Sequence, residues 1–204
     1  MIREHEISHL PYRNWCAACV RGRGRSDPHR SRNPGKDKPL YPVISIDYVI
    51  DPGQPILVMV DRASKSHWAH IVPNKGIGHP YPIAAVLTDL RRSGYKKVII
   101  KCDNEPSITA LVAAVQKQWA GEIVPENSPA YESQSNGEVE KANQTIQGLA
   151  RTLKESVAIK SGFSIPDDSP LLAWLVEHAA NLYNFFRLDN DERGTSTFPN
   201  LGNK

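Results

Sequence analysis

From Tyr41 onward the chain carries three closely spaced apolar runs, YPVISIDYVI, PILVMVDRA and SHWAHIVP, with an aspartate inside each of the first two. Short runs rich in β-branched residues form strands, and Asp51-Pro52-Gly53 supplies a turn between the first two, so three adjacent antiparallel strands are expected. The pattern then alternates. A helix is predicted around Tyr81 to Arg92, a strand at KKVIIKCD, a helix around Ser107 to Trp119 and a short strand at Glu122 to Val124. Three strands followed by helix, strand, helix and strand imply an α/β fold built on a mixed five-stranded sheet flanked by helices.

Two further helices follow. The first begins near Ser135-Asn136-Gly137, whose small polar residues can satisfy the first free backbone N–H groups. Its apolar stripe is Val139, Ala142, Ile146, Leu149, Leu153 and Val157, in steps of three or four residues, until Gly162 and Pro166 interrupt it. The second, SPLLAWLVEHAANLYNFF, is expected to bury a face made of Leu171, Trp174, Leu175, His178, Leu182 and Phe185. Residues 189–204 are polar and are expected to fray. No apolar run is long enough to span a bilayer and no secretory pattern opens the chain, so an intracellular protein without membrane contact is expected.

The N-terminal stretch has a different composition. Residues 1–20 hold His5, His9, Cys16 and Cys19, an HxxxH followed by CxxC, which supplies four imidazole or thiolate ligands suited to tetrahedral Zn²⁺. His29 is an alternative to His5 as the fourth ligand. Residues 21–40, RGRGRSDPHRSRNPGKDKPL, read as a basic linker. Residues 1–40 contain nine Lys or Arg against four Asp or Glu, whereas the rest of the chain contains sixteen against eighteen. A basic arm on a mildly acidic body points to a polyanionic partner, and Arg21, Arg23 and Arg25 are candidates for phosphate contact.

Three acids stand where charge is costly or exposed to use. Asp47 lies within an apolar strand, Asp103 ends another, and Glu140 lies in the first turn of the long helix. Carboxylates that converge from separate elements repel unless a cation intervenes, and hard oxygen ligands favour Mg²⁺ or Mn²⁺. Glu138 and Glu140 project about 200° apart on a helix, so one of them faces the aspartates. Glu140 continues through Gln144, Gln147, Arg151 and Lys154 along a polar face suited to a nucleic-acid backbone. Cys102 reads as a small buried hydrophobe, and Trp15, Trp68, Trp119 and Trp174 as packing residues.

The segment SPAYESQSNGEVEKANQTIQ resembles the glutamate motif of retroviral and retrotransposon integrases, with Glu140 in the register of the catalytic glutamate. PILVMVDRASKSHWAHIVPNKG is similar to that family's second and third strands, and KCDNEPSITALVAAVQKQW to its second-aspartate strand and following helix. Thirty-six residues separate Asp103 from Glu140, near the family's spacing, and the resemblance covers about residues 41–188. His5, His9, Cys16 and Cys19 resemble in order and position the family's zinc module, and Asn104-Glu105-Pro106 departs from the Gly that commonly follows the second aspartate.

The resemblance implies an RNase H-like core over 41–188, with Asp47, Asp103 and Glu140 as catalytic metal ligands for Mg²⁺ or Mn²⁺. It further implies metal-dependent DNA 3′-end processing and strand transfer on element ends and target DNA, in a homo-oligomer that is nuclear in a eukaryotic host. Two other readings share these residues: a noncatalytic remnant that binds DNA or protein, and an RNase H-type nuclease.

Overall fold

The computed structural model describes residues 2–23, 39–51, 53–127 and 137–187. Two short helices, α1 (Ile2–Ser8) and α2 (Ala17–Arg23), precede strands β1 (Val43–Ile50), β2 (Pro55–Asp61) and β3 (His67–Ile71). There follow α3 (Pro80–Ser93), β4 (Lys97–Cys102), α4 (Pro106–Gln118), β5 (Glu122–Asn127), α5 (Gly137–Ser161) and α6 (Pro170–Phe186). The five strands form one mixed sheet in the order β3-β2-β1-β4-β5. β1, β2 and β3 pair antiparallel, whereas β4 and β5 run parallel to β1. Residues 21–23, expected in the linker, instead continue α2.

The period of two along each strand divides the core in two. Ile44, Ile46 and Tyr48 of β1 join Val98 and Ile100 of β4 under α3 and α4. Ile56, Val58 and Val60 of β2 face the other way, against α5 and α6. Asp47 alternates with Ile46 and Tyr48, so it points to the α5 side of the sheet. The α5 stripe is buried as its spacing predicts, with Val139, Ala142, Ile146, Leu149 and Leu153 in the core and Val157 partly so.

Local signals set the helix ends. Pro80 and Pro170 open α3 and α6, where His79 Nδ1 and Ser169 Oγ accept from the N–H groups of Tyr81 and Leu171. Gly94 closes α3 in the left-handed region, at φ 72°.

α6 turns a different face to the core from the one expected. Leu172, Leu175, Val176, Ala179, Ala180 and Leu182 are buried, while Leu171, Trp174 and Phe185 are exposed. The helix is apolar on most of its circumference, and the small Ala179 and Ala180 let it approach β3 and α5 closely. Two of the four tryptophans therefore do not pack inside: Trp15 and Trp174 are each 55% exposed, whereas Trp68 and Trp119 lie against the core. Among the described residues no helix is long and apolar enough to cross a membrane.

A charged clasp fastens the open edge of the sheet. His70 on β3 places Nε2 2.6 Å from Asp89 of α3 and Nδ1 3.0 Å from Glu177 of α6, and Tyr81 OH donates to the same Glu177 oxygen. Burial alone would lower the imidazole's pKa, but hydrogen bonds and charge from Asp89 and Glu177 outweigh it and hold it up at about 9. A folded-state value above the ordinary 6.5 gives stability that is fully present below pH 6.5 and is lost as pH rises to about 9. The contribution is on the order of 3 kcal/mol. The thermal midpoint should therefore fall across pH 6.5–9, and His70→Gln, which leaves buried Asp89 only the longer contact with Arg92 at 3.5 Å, should lower the midpoint at pH 6.5 and flatten that slope. A parallel slope in the variant would assign the pH dependence elsewhere.

Candidate functional site

Two places gather the chemistry-bearing residues. The first is built by α1, α2 and the chain between them. His5 and His9 lie one helical turn apart, as do Cys16 and Cys19, and the two pairs face each other. The Cys16 Sγ to His9 Nδ1 distance is 3.4 Å, Cys19 Sγ to His5 Nε2 3.5 Å, and Cys19 Sγ to His9 Nδ1 3.8 Å. All four donor atoms lie within 4.8 Å of one another.

A tetrahedral zinc ion with Zn–S of ~2.3 Å and Zn–N of ~2.0–2.1 Å has S···N edges of about 3.5 Å, so these separations fit a single ion. Their burial points the same way. His5, His9 and Cys19 are buried and Cys16 is 9% exposed, within a segment whose own buried cluster is only Cys16, Ala18 and Cys19. Burying such groups is costly unless they are paired or bound to metal. The group His5, His9, Cys16 and Cys19 could thus bind a metal such as zinc. His29, the alternative ligand, lies outside the described residues.

The second place is the end of the sheet where β4 finishes beside its central neighbour β1. Their parallel register pairs Ser45 with Lys101, and just beyond it Asp47 comes near enough to Asp103, the residue after β4, to feel its charge. Asp47 Oδ1 accepts from the N–H of Tyr48 at 2.8 Å, and Oδ2 accepts from Asn143 Nδ2 of α5 at 3.0 Å. Burial pushes the Asp47 carboxyl above its ordinary value, Asp103 and then Glu105 push it further, and the two hydrogen bonds only partly offset this. Asp103 Oδ1 accepts from the N–H of Glu105 at 3.0 Å, which bends the chain into α4. Cys102, buried beside both aspartates, has its thiol raised to about 11, first by burial and then by their charge, so it remains an uncharged packing group.

Glu140 is exposed on α5, three residues before Asn143 and so on the same side of the helix. Glu138, two residues away, is engaged differently. Arg62 Nε donates to it at 2.7 Å and Lys65 Nζ at 3.4 Å, and these cations hold its carboxyl below the ordinary value against the effect of burial. Asp61 is also committed elsewhere: its oxygens accept from Ala63 N–H, Ser64 Oγ and Tyr95 OH, within and beside the β2–β3 turn. Asp47 and Asp103 are therefore electrostatic neighbours, with Glu140 one turn from the α5 residue that contacts Asp47. The three do not gather as closely as the four side chains at the N-terminus.

No protein-family model and no curated protein matches the chain. The reading of the carboxylates accordingly rests on the residues themselves.

Two participants carried no sequence signal that singled them out. Asn143 is a core-facing polar residue, 7% exposed, whose amide joins α5 to Asp47 while its Oδ1 has no hydrogen-bond partner among the described residues. Lys75, on the loop before α3, donates to Glu105 at 3.0 and 3.1 Å and holds that acid's carboxyl low together with Ser107. Nothing in the sequence ties Asn143 to a partner 96 residues away.

The cations expected to meet DNA are engaged with acids. Arg21 pairs with Glu155 at 2.7 Å, Arg151 with Asp51 at 3.0 Å, and Lys154 with Asp167. Gln144 and Gln147 lie on the outer part of α5, and Arg25 and the side chain of Arg23 are outside the described residues, as are most of the linker, residues 128–136 of the glutamate motif and the tail from 188.

Proposed function

We propose that the chain is the catalytic core of a retrotransposon- or retrovirus-type integrase, with an RNase H-like fold and a zinc-binding N-terminal segment. Asp47, Asp103 and Glu140 hold Mg²⁺ or Mn²⁺ for DNA 3′-end processing and strand transfer. The observation that carries this is the electrostatic contact of Asp47, on β1, with Asp103, just past the end of the parallel neighbour β4, with α5 reaching Asp47 through Asn143. The sheet order, three antiparallel strands beside two parallel ones, supports the RNase H-like assignment.

Bound divalent metal would supply activation of an attacking oxygen and stabilisation of the leaving one. The protein's part is positioning. Asp47 and Asp103 present neighbouring carboxylates whose mutual repulsion favours a cation between them, and Glu140 approaches from α5. Asn143 and the Tyr48 N–H fix the Asp47 carboxylate in one orientation. DNA would pass along Gln144, Gln147, Arg151 and Lys154 with Arg21 at the rim. Exposed ion pairs are worth only ~0–1 kcal/mol, so phosphates can take the place of Glu155 and Asp51. Duplex DNA ends and target are the substrates, and a homo-oligomer is the working form.

The looser gathering of the three acids favours one rival, a noncatalytic remnant that binds nucleic acid. Oligonucleotide assays with Mn²⁺ separate the readings: joining of DNA ends supports an integrase, cleavage of RNA–DNA hybrids without joining supports a nuclease, and neither activity supports the remnant. As a positioning residue, Asn143 has its own expected result. Asn143→Leu should weaken Mn²⁺ binding by calorimetry about 10–100-fold, as loss of a hydrogen bond to a metal ligand does. An unchanged affinity would reduce the Asn143–Asp47 bond to packing.

A further inference from the structure

The N-terminal segment is packed on α5 more closely than its short helices require. An added Cβ at Gly22 of α2 would meet Thr152 Oγ1 at 2.3 Å and the Thr152 backbone N and Cα at 2.6 Å, so the α2 backbone rests directly on α5. Thr152 is fully buried there, its hydroxyl donated to Gly148 O. Arg21 reaches Glu155 of α5 at 2.7 Å, and Lys160 Nζ of α5 donates to Glu6 O of α1 at 3.4 Å. Leu10, between the two helices, packs against the α5/α6 core.

α2 is seven residues long, far below the ~12–15 at which an isolated helix is even marginal in water. Cys19, on the same helix and three residues before Gly22, is one of the four donors, and Cys16 immediately precedes the helix. The ion that fits those donors would therefore fix both the conformation of α2 and the position of Gly22.

We infer that zinc loading of His5, His9, Cys16 and Cys19 operates a clasp on α5: the metal holds α2 in place, and the Gly22–Thr152 contact transmits that order to the helix carrying Asn143 and Glu140. The grip lies nine residues from Asn143, about 14 Å along a rigid helix at ~1.5 Å per residue. Without metal the four donors lose their common partner, α2 loses its anchor, and the α5 surface at Thr152 is uncovered. The inference rests on metal binding by the His/Cys cluster and not on the DNA-joining chemistry.

The test is hydrogen exchange of the whole chain, metal-free and after addition of one equivalent of Zn²⁺, followed on peptides covering residues 146–160. Co²⁺ absorption on the same protein reports independently whether the cluster is filled. Zinc is expected to slow exchange at 148–156 at least about tenfold, the change that ~1.4 kcal/mol of added local stability makes. Gly22→Val is expected to keep the tetrahedral Co²⁺ spectrum and lose the zinc-induced protection. A filled cluster with unchanged α5 exchange in the natural chain would overturn the clasp, as would full protection in Gly22→Val. Absence of the Co²⁺ spectrum would overturn it at the earlier step of metal binding. The comparison in the natural chain decides the matter even if Gly22→Val fails to fold.

Discussion

Asp103→Asn is expected to remove Mn²⁺-dependent strand joining by about 10²–10³-fold or more, while the folded chain survives. The size follows from the several kcal/mol of charge stabilisation that metal supplies in phosphoryl transfer, at about 1.36 kcal/mol per factor of ten. Survival of the fold follows from what Asn retains. The N–H of Glu105 donates to Asp103 Oδ1, and an amide oxygen at that position accepts the same bond, so the turn into α4 persists.

Stability should move opposite to activity. Burial first, and then the charge of Asp103, raises the Asp47 carboxyl, so Asp47 contributes stability at low pH that is lost as pH rises through its raised folded value. Neutralising Asp103 relieves part of that cost, and the metal-free variant should melt no lower than the natural chain at pH 7. Equal joining rates in the two proteins would sink the assignment of Asp103. A variant that loses joining only because it unfolds would appear at once in the melt.

The sheet was legible because its strands announce themselves twice, through β-branched runs and through turn residues such as those after Ile50. Asp61 and Glu138 are engaged locally: one sits in a turn that uses its oxygens, and the other lies at a helix start beside Arg62 and Lys65. The face of α6 was not legible. A helix apolar nearly all round has no unique stripe, and its orientation is decided by how closely Ala179 and Ala180 allow β3 and α5 to approach.

The engagement of Arg151 by Asp51 and of Lys154 by Asp167 was equally invisible, because Asp51 lies on a loop 100 residues away and Asp167 on the α5–α6 connection, which folds back onto α5. Long-range pairing also hid the docking of α2. A glycine in an Arg-Gly repeat reads as linker, and only the proximity of Thr152, 130 positions further on, gives Gly22 a packing reason.

The four-donor cluster leads to the second large effect. Cys19→Ser should lower zinc affinity by about 10²–10³-fold, the share of one ligand among four in an apparent binding free energy of roughly 10–16 kcal/mol. Affinity in the natural chain should also fall as pH drops, since thiols and imidazoles must shed protons to bind. Cys102→Ser provides the contrast: Cys102 is buried against the aspartate strand and Asn127, so its loss should leave one zinc per chain.

The choice between His5 and His29 is open to the same titration. His5 Nε2 stands 3.5 Å from Cys19 Sγ, the edge length of a tetrahedral site, so His5→Ala should weaken zinc as Cys19→Ser does and His29→Ala should not. The reverse result would move the fourth ligand into the linker. Unchanged affinity in Cys19→Ser would remove the metal from this cluster altogether, leaving the burial of its imidazoles and thiols to be explained by hydrogen bonding alone.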